Sequence, residues 1–234
     1  LRLRLMETGA AEDLAVLFLE DTTRSREEAQ QLKLAALGRL TANIAHEIRN
    51  PLSAISHAAE LLNEEQRARD RERLTRIIHD NTQRLERLVS DVLQLNRRDR
   101  AALDRVALNA WLAAFVEDFA ANESVPASRI GLETAREVTV EFDREHLRQV
   151  LWNLLRNAVR HAGQEPGSVR IVLNTYGDQV EFNVIDNGPG VARAIQGQLF
   201  EPFFTTESKG TGLGLYLARE LCAANRAALE YVDD

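Results

Sequence analysis

Apolar positions in the first third of the chain keep the turn of a helix. Leu37, Leu40, Ile44, Ile48, Leu52, Ile55, Ala59 and Leu62 are spaced 3, 4, 4, 4, 3, 4 and 3 residues apart, which is one helix face. A second stripe, Leu74, Ile78, Asn81, Leu85, Leu88, Val92 and Leu95, alternates steps of 4 and 3 throughout, which is a heptad seam. The polar stretch from Asn63 to Arg71 reads as the turn between two helices. Neither helix can bury its stripe alone. The economical arrangement is a helical hairpin that pairs with a second copy as a four-helix bundle. Asn81 stands inside the second seam, where one amide sets register at a cost in stability.

Ahead of the stripes, Leu1 to Leu5 alternates apolar and basic residues as a half-buried strand does. Gly9 opens a turn, and Leu14 to Leu19 reads as a second strand. Two strands alone are marginal in water, so they read as the tail of an upstream domain. Asp21-Thr22-Thr23 offers a cap for a helix that continues to about Asn63.

Past the stripes, the polar, basic stretch Asn96 to Ala101 reads as a linker. Val106 to Leu108 is a short strand. Asn109 is placed to cap a helix to about Ala121, with Leu112, Phe115, Val116 and Phe119 inward. Short strands follow at Ile130 to Glu133 and Val138 to Phe142, then a helix from Asp143 to His161. Val169 to Tyr176 and Val180 to Asp186 form a hairpin across Gly177-Asp178. Ala228 to Val232 begins one more strand. Helices mixed with mostly antiparallel strands predict an α+β sandwich, and roughly 130 residues suffice for its core.

Composition narrows the class. Of 234 residues, 44% are hydrophobic and 28% charged, as in a soluble globular protein. A net charge of -7 argues against a general nucleic-acid binder. Cys222 is the only cysteine, which excludes an intrachain disulfide and a cysteine-built metal site. No apolar run approaches the ~20 residues of a membrane span, and no signal peptide is visible. The chain opens in mid-pattern without an initiator Met and reads as a fragment, leaving room for a membrane anchor upstream in the parent.

The candidate chemistry begins at His46. It lies two residues from both Ile44 and Ile48, so it points away from the stripe. Pro51 has no N–H for the Glu47 carbonyl, which predicts a bend just past the histidine. Alone, His46 reads better as a surface histidine on a bundle helix; the rest of the chain argues against that. Asn153 and Asn157 are four apart and share a helix face. Their amide oxygens suit a hard cation, although two such residues also suit an ordinary polar face. Arg160 and His161 follow one turn later, within reach of phosphates. Asp186-Asn187-Gly188-Pro189-Gly190 closes an apolar strand. A carboxylate there can accept from an exocyclic amine, and the glycines allow close backbone approach; alone, the segment is a common turn. Lys209-Gly210-Thr211-Gly212-Leu213-Gly214-Leu215 runs into an apolar helix and offers backbone N–H groups to phosphate. It is neither a Walker loop nor a Rossmann turn. About 19 residues separate these two glycine clusters, including Phe200, Phe203 and Phe204, a length typical of a lid.

In this order and spacing, His46-Glu47-x-x-Asn50-Pro51, Asn153-x-x-x-Asn157, Asp186-x-Gly188-x-Gly190, Phe200-x-x-Phe203-Phe204 and Gly210-x-Gly212-x-Gly214 resemble the H, N, G1, F and G2 boxes of sensor histidine kinases. The resemblance covers nearly all of the chain from about residue 30. The Leu37 to Leu62 segment and the lead-in, a closing strand, Asp-x-Thr and a long helix like the exit of a PAS sensor domain, look closest to nitrogen-regulatory and type IV pilus sensor kinases. The resemblance implies four parts. Residues 1–30 are the remnant of a PAS-like sensor, and 31–98 a dimerisation and histidine phosphotransfer domain. Residues 99–104 are a linker, and 105–234 an α/β-sandwich ATP-binding domain of the histidine kinase and Hsp90 type.

It further implies that His46 is the phosphoacceptor, Glu47 its general base and Asn50 the residue that orients water for dephosphorylation of a response regulator. ATP would meet Asn153, Asn157, Arg160, His161, Asp186, Gly188, Gly190, Phe203, Thr205, Thr206, Lys209, Gly210, Thr211, Gly212, Leu213 and Gly214. Mg²⁺ would sit on Asn157 with Asn153 nearby. The implied partners are a second copy and a receiver domain, with no nucleic acid and no direct membrane contact, in the cytoplasmic portion of a parent anchored in the bacterial inner membrane. Arg160 and His161 depart from the family's usual Lys and Tyr. The rival class is a nucleotide-binding pseudo-kinase dimer that scaffolds a signal; intact His46 and Asn157 argue against it. A conformational ATPase of the same superfamily would place a glutamate where Asn153 stands.

Overall fold

Residues 1–53 and 54–234 form two compact units in a computed structural model of the chain. The structure describes all residues except 1, 8–14, 21–22, 65–66, 96–100, 135, 178, 208–209 and 234, and it describes side chains from residue 43 onward apart from 64 and 95.

In the first unit, β1 (Arg2–Glu7) and β2 (Ala15–Glu20) pair antiparallel, with Arg2 opposite Glu20 and Glu7 opposite Ala15. The expected hairpin is present. The expected cap at Asp21 and Thr22 lies outside the described residues. Helix α1 (Thr23–Glu64) follows, and the division between the units falls inside it. Pro51 sits within α1 without ending it; a proline removes one backbone bond, and good helix formers on both sides carry the helix through.

The second unit contains the end of α1, then α2 (Ala68–Leu95). The turn is shorter than the polar stretch suggested, because Asn63 still belongs to α1 and Asp70 lies in the first turn of α2, where a carboxylate suits the helix dipole. The α2 seam holds: Leu74, Ile78, Asn81, Leu85 and Val92 are half-buried and Leu88 fully buried. The α1 stripe is less uniform. Leu52 and Ala59 are exposed, whereas Pro51 and Ala58, one position earlier in each case, are buried.

Beyond α2 the order is β3 (Asp104–Ala107), α3 (Leu108–Asn122), a 3-10 turn at Ala127–Arg129, β4 (Ile130–Thr134), β5 (Thr139–Phe142), α4 (Arg144–His161), β6 (Val169–Tyr176), β7 (Gln179–Asp186), α5 (Arg193–Gln196) and α6 (Gly214–Ala224). β4, β6 and β7 form one sheet and β3 with β5 another. The β3–β5 and β6–β7 pairs are antiparallel, as expected, while β4 pairs parallel with β6.

The core lies between α3, α4 and the inner face of β6. Leu112, Phe115, Val116 and Phe119 of α3 are buried, as their spacing predicted, together with Leu151 and Leu155 of α4 and Val169, Ile171 and Leu173 of β6. Trp152 sets its edge against Phe119 at 5.1 Å between ring centroids, and its Nε1 donates to Glu123 Oε1 at 3.1 Å.

Two local expectations are corrected. Asn109 does not cap α3, whose N-cap is Ala107 with no side-chain bond. The Asn109 side chain instead accepts from Val138 N at 2.9 Å and donates to Arg136 O at 3.0 Å, tying the start of α3 to the β4–β5 connection. Ala228 to Val232 is not a strand. Side chains tether this tail, with Val191 N donating to Tyr231 Oη at 3.2 Å and Gln196 to Asp233.

Candidate functional site

Helix α4 starts on a strong cap. Asp143 Oδ1 accepts from the backbone N–H groups of Glu145 and His146, each at 3.0 Å, and its Oδ2 from Ala102 N at 2.8 Å. Burial opposes the Asp143 charge, but these N–H groups outweigh it and hold the carboxyl below its ordinary range. Asn225, after α6, secures the same end. Its Oδ1 accepts from Asp143 N at 2.8 Å and its Nδ2 meets His146 Nδ1 at 2.9 Å.

Leu147, Leu151 and Leu155 take one side of α4 into the core. Asn153 and Asn157, two residues further round, are half-buried on the other side. The Asn153 Nδ2 atom is buried and has no hydrogen-bond partner. Beside it stands Gly214, the first residue of α6, where an added Cβ would come 3.4 Å from Asn153 Oδ1. The α6 N-terminus has no side-chain cap bond. A helix N-terminus next to a buried, unsatisfied amide suits a polar, anionic ligand.

The glycine-rich loop is shaped by backbone contacts. Gly212 has φ +67 and its O accepts from Phe203 N at 3.0 Å; a Cβ at Gly212 would collide with the Phe203 backbone, so only glycine fits there. Thr211 Oγ1 accepts from Leu213 N at 3.4 Å, and Leu213 is fully buried. Thr205 Oγ1 accepts from Glu207 N at 3.0 Å and lies close to Gly210. Thr206 is exposed, and Lys209 lies outside the described residues. The lid expected between the glycine clusters is built from α5 and a run of turns. Phe200 in it is covered by Arg219, with the guanidinium 5.1 Å from the ring centroid.

Asp186 ends β7 exposed, and its Oδ1 accepts from Gly188 N at 2.9 Å. A Cβ on Gly188 would lie 2.6 Å from that oxygen and 2.9 Å from His161 O, so the turn sits tightly on the end of α4. Gly190 instead lies near Tyr231 of the tail. Arg160 Nη1 and His161 Nε2 both face Glu207, at 3.5 and 3.9 Å. The structure thus gathers Asn153, Asn157, Gly214, Thr211, Arg160, His161, Asp186 and Gly188 around the end of α4 and the start of α6.

Three contributors escaped the sequence reading. Glu207 gives no local signal. Asn187 sits in the glycine turn, and its Oδ1 accepts from Gly163 N at 2.9 Å. Arg129 is buried, and its Nη2 donates to the carbonyls of Val159 at 3.1 Å and Gly163 at 2.5 Å, capping the C-terminal end of α4 with a cation.

In the first unit His46 and Asn50, four apart on α1, are both exposed, and Glu47 and the flanking Ile44 and Ile48 are half-buried.

This arrangement agrees with the comparisons to known proteins. Residues 36–101 match the His Kinase A (phospho-acceptor) domain, and residues 142–231 match the histidine kinase-, DNA gyrase B- and HSP90-like ATPase family. The chain belongs to the sensor histidine kinases of two-component systems. It is 47% identical over 225 residues to the sensor protein kinase PilS of Pseudomonas aeruginosa, covering 92% of this chain and 42% of that protein. It is 32% identical over 220 residues to the signal transduction histidine-protein kinase AtoS of Escherichia coli, covering 90% of this chain and 35% of that protein. The chain therefore spans less than half the length of these relatives. Its fold is that of the histidine kinase ThkA, solved in complex with the response regulator protein TrrA, at a TM-score of 0.68 and 24% identity, covering 96% of this chain and 68% of that one.

Proposed function

We propose that the chain is a kinase core that phosphorylates His46 from ATP and passes the phosphoryl group to an aspartate on a receiver domain. The observation that carries the reading is the buried, unpartnered Asn153 amide beside the start of α6, in a domain of the ATPase family. The nucleotide would lie along this end of α4, with Asp186 taking the adenine amine through the carboxylate oxygen not used by Gly188 N. Arg160 and His161 would exchange Glu207 for phosphate oxygens. Asn157, with Asn153 beside it, would hold Mg²⁺, which when bound neutralises phosphate charge; amide oxygens fit such a hard cation.

At His46, Glu47 would accept the Nδ1 proton and leave Nε2 to attack the γ-phosphorus as the bond to the ADP oxygen breaks. Asn50, on the same exposed face, would orient a water toward an aspartyl phosphate on a docked receiver domain and so return that partner to its unphosphorylated state.

The protein would work as a dimer through residues 31–98. The single chain leaves Leu61, Val89 and Leu93 exposed on the hairpin helices, apolar surface that a second copy would cover. The β1–β2 hairpin would be the remnant of a PAS-like sensor, with 99–104 as the linker to a catalytic domain of 105–234. We place this part of the chain in the cytoplasm; no helix among the described residues is long and apolar enough to cross a membrane.

Incubation with γ-labelled ATP tests the reading. Acid-labile, base-stable label on the protein is expected. Unlabelled protein that still binds ATP would indicate a scaffold, and free phosphate without label a conformational ATPase.

A further inference from the structure

The glycine-rich loop touches more than its own domain. Thr211 Oγ1, between the first two glycines of the motif, donates to Asp91 Oδ2 of helix α2 at 2.8 Å. One turn earlier on α2, Leu88 is fully buried. One turn later, Gln94 Oε1 accepts from Gln149 Nε2 of α4. Asp91 and Gln94, one turn apart, therefore both tie α2 to the catalytic domain, and Asp91 is the contact to the loop. The carboxylate is poorly hydrated there, which pushes its pKa up, with Arg156 and Arg87 near enough to oppose that shift.

Two consequences follow. The Thr211 hydroxyl is committed both to Asp91 and, as acceptor, to Leu213 N at the head of α6. A negative charge also stands beside the loop whose backbone N–H groups suit phosphate. In a partly desolvated site, charge repulsion acts over many ångströms.

We propose that Asp91 is a positioning residue that holds the glycine-rich loop on α2 and opposes the binding of nucleotide phosphates, so that nucleotide capture and release of the loop from α2 drive each other. This rests on the reading of the domain as ATP-binding. Coupling of this kind is reciprocal: if the contact weakens ATP binding, ATP weakens the contact. The substrate would then help to free the loop from the α2 helix that holds it.

The charge argument makes a graded test. The affinities of the full chain for adenosine, ADP and ATP are measured with Mg²⁺ for the wild type, Asp91→Asn and Asp91→Ala, with thermal melting as a check on folding. Asp91→Asn retains an acceptor for Thr211 but removes the charge; Asp91→Ala removes both. The proposal expects adenosine affinity unchanged, ATP affinity raised about tenfold and ADP between them, with Asp91→Ala at least as strong as Asp91→Asn. It also expects hydrogen exchange around residues 88–94 to rise when ATP is added to the wild type. An equal shift for all three ligands, no shift, or weaker ATP binding would overturn it while leaving the ATP-binding reading intact. Failure of the wild type to bind any of the three would overturn both.

Discussion

The two helices that hold the candidate site residues treat them in opposite ways. On α1, His46 and Asn50 stand in solvent. On α4, Asn153 and Asn157 are half-buried, one amide nitrogen is left without a partner, and Leu151 and Leu155 anchor the other side in an aromatic-rich core. The difference suits the tasks proposed for them. In the proposed reaction His46 would meet the catalytic domain and then a separate partner, so it has to be reachable by both. Asn153 and Asn157, if they receive a triphosphate as proposed, would act best where water is thinned out and their own geometry is rigid.

This contrast can be broken at five places, from the largest effect to the smallest. His46→Gln should cut protein labelling to below about 1% of wild type while ATP affinity stays unchanged, because the residue belongs to the exposed helix; label persisting on the variant would remove α1 from the chemistry. Asn50→Ala should keep His46 labelling and lose receiver dephosphorylation by about a hundredfold. A loss of both activities together would make Asn50 a structural residue ahead of Pro51.

On the buried side, Asn157→Asp should lower autophosphorylation roughly tenfold or more, since an added charge disturbs the balance of cation and phosphate. Asp186→Asn should weaken adenine binding by roughly tenfold. Isothermal titration with adenosine and ATP separates the two, and normal behaviour in both would refute the site.

The smallest effect is on the α4 cap. Asp143→Ala should cost about 1 kcal/mol, read from denaturant unfolding. The Asp143 carboxyl is held below its ordinary range, so its contribution is present above the unfolded carboxylate pKa and is lost as pH falls through the lower folded value. The gap between wild type and variant should therefore close in acid and stay constant around neutral pH.

Much of this protein was legible in one dimension, because the features concerned are local. The α2 stripe follows from residues three and four apart, and the α3 core residues from the same spacing. Exposure of His46 follows from its two-residue offset from Ile44 and Ile48. Strands β6 and β7 follow from alternation up to Gly177, which adopts φ +62 at their turn. The N, G1 and G2 motifs named residues that the structure brings to the end of α4 and the start of α6.

Tertiary structure decided what depends on residues far apart along the chain. Asn109 looked like a cap, yet its amide found the β4–β5 connection 27 and 29 residues away. Ala228 to Val232 has the composition of a strand, but a strand forms only where an edge offers N–H and C=O partners, and here side-chain tethers hold the segment instead. Arg129 carries no signal in the sequence, and folding makes it the buried cap of α4, 30 and 34 residues from the carbonyls it meets. Asp91 gives no signal along the chain, and only folding placed it against Thr211, 120 residues on. Periodicity determines which face of an element is apolar; which polar group meets which is settled only when those faces pack.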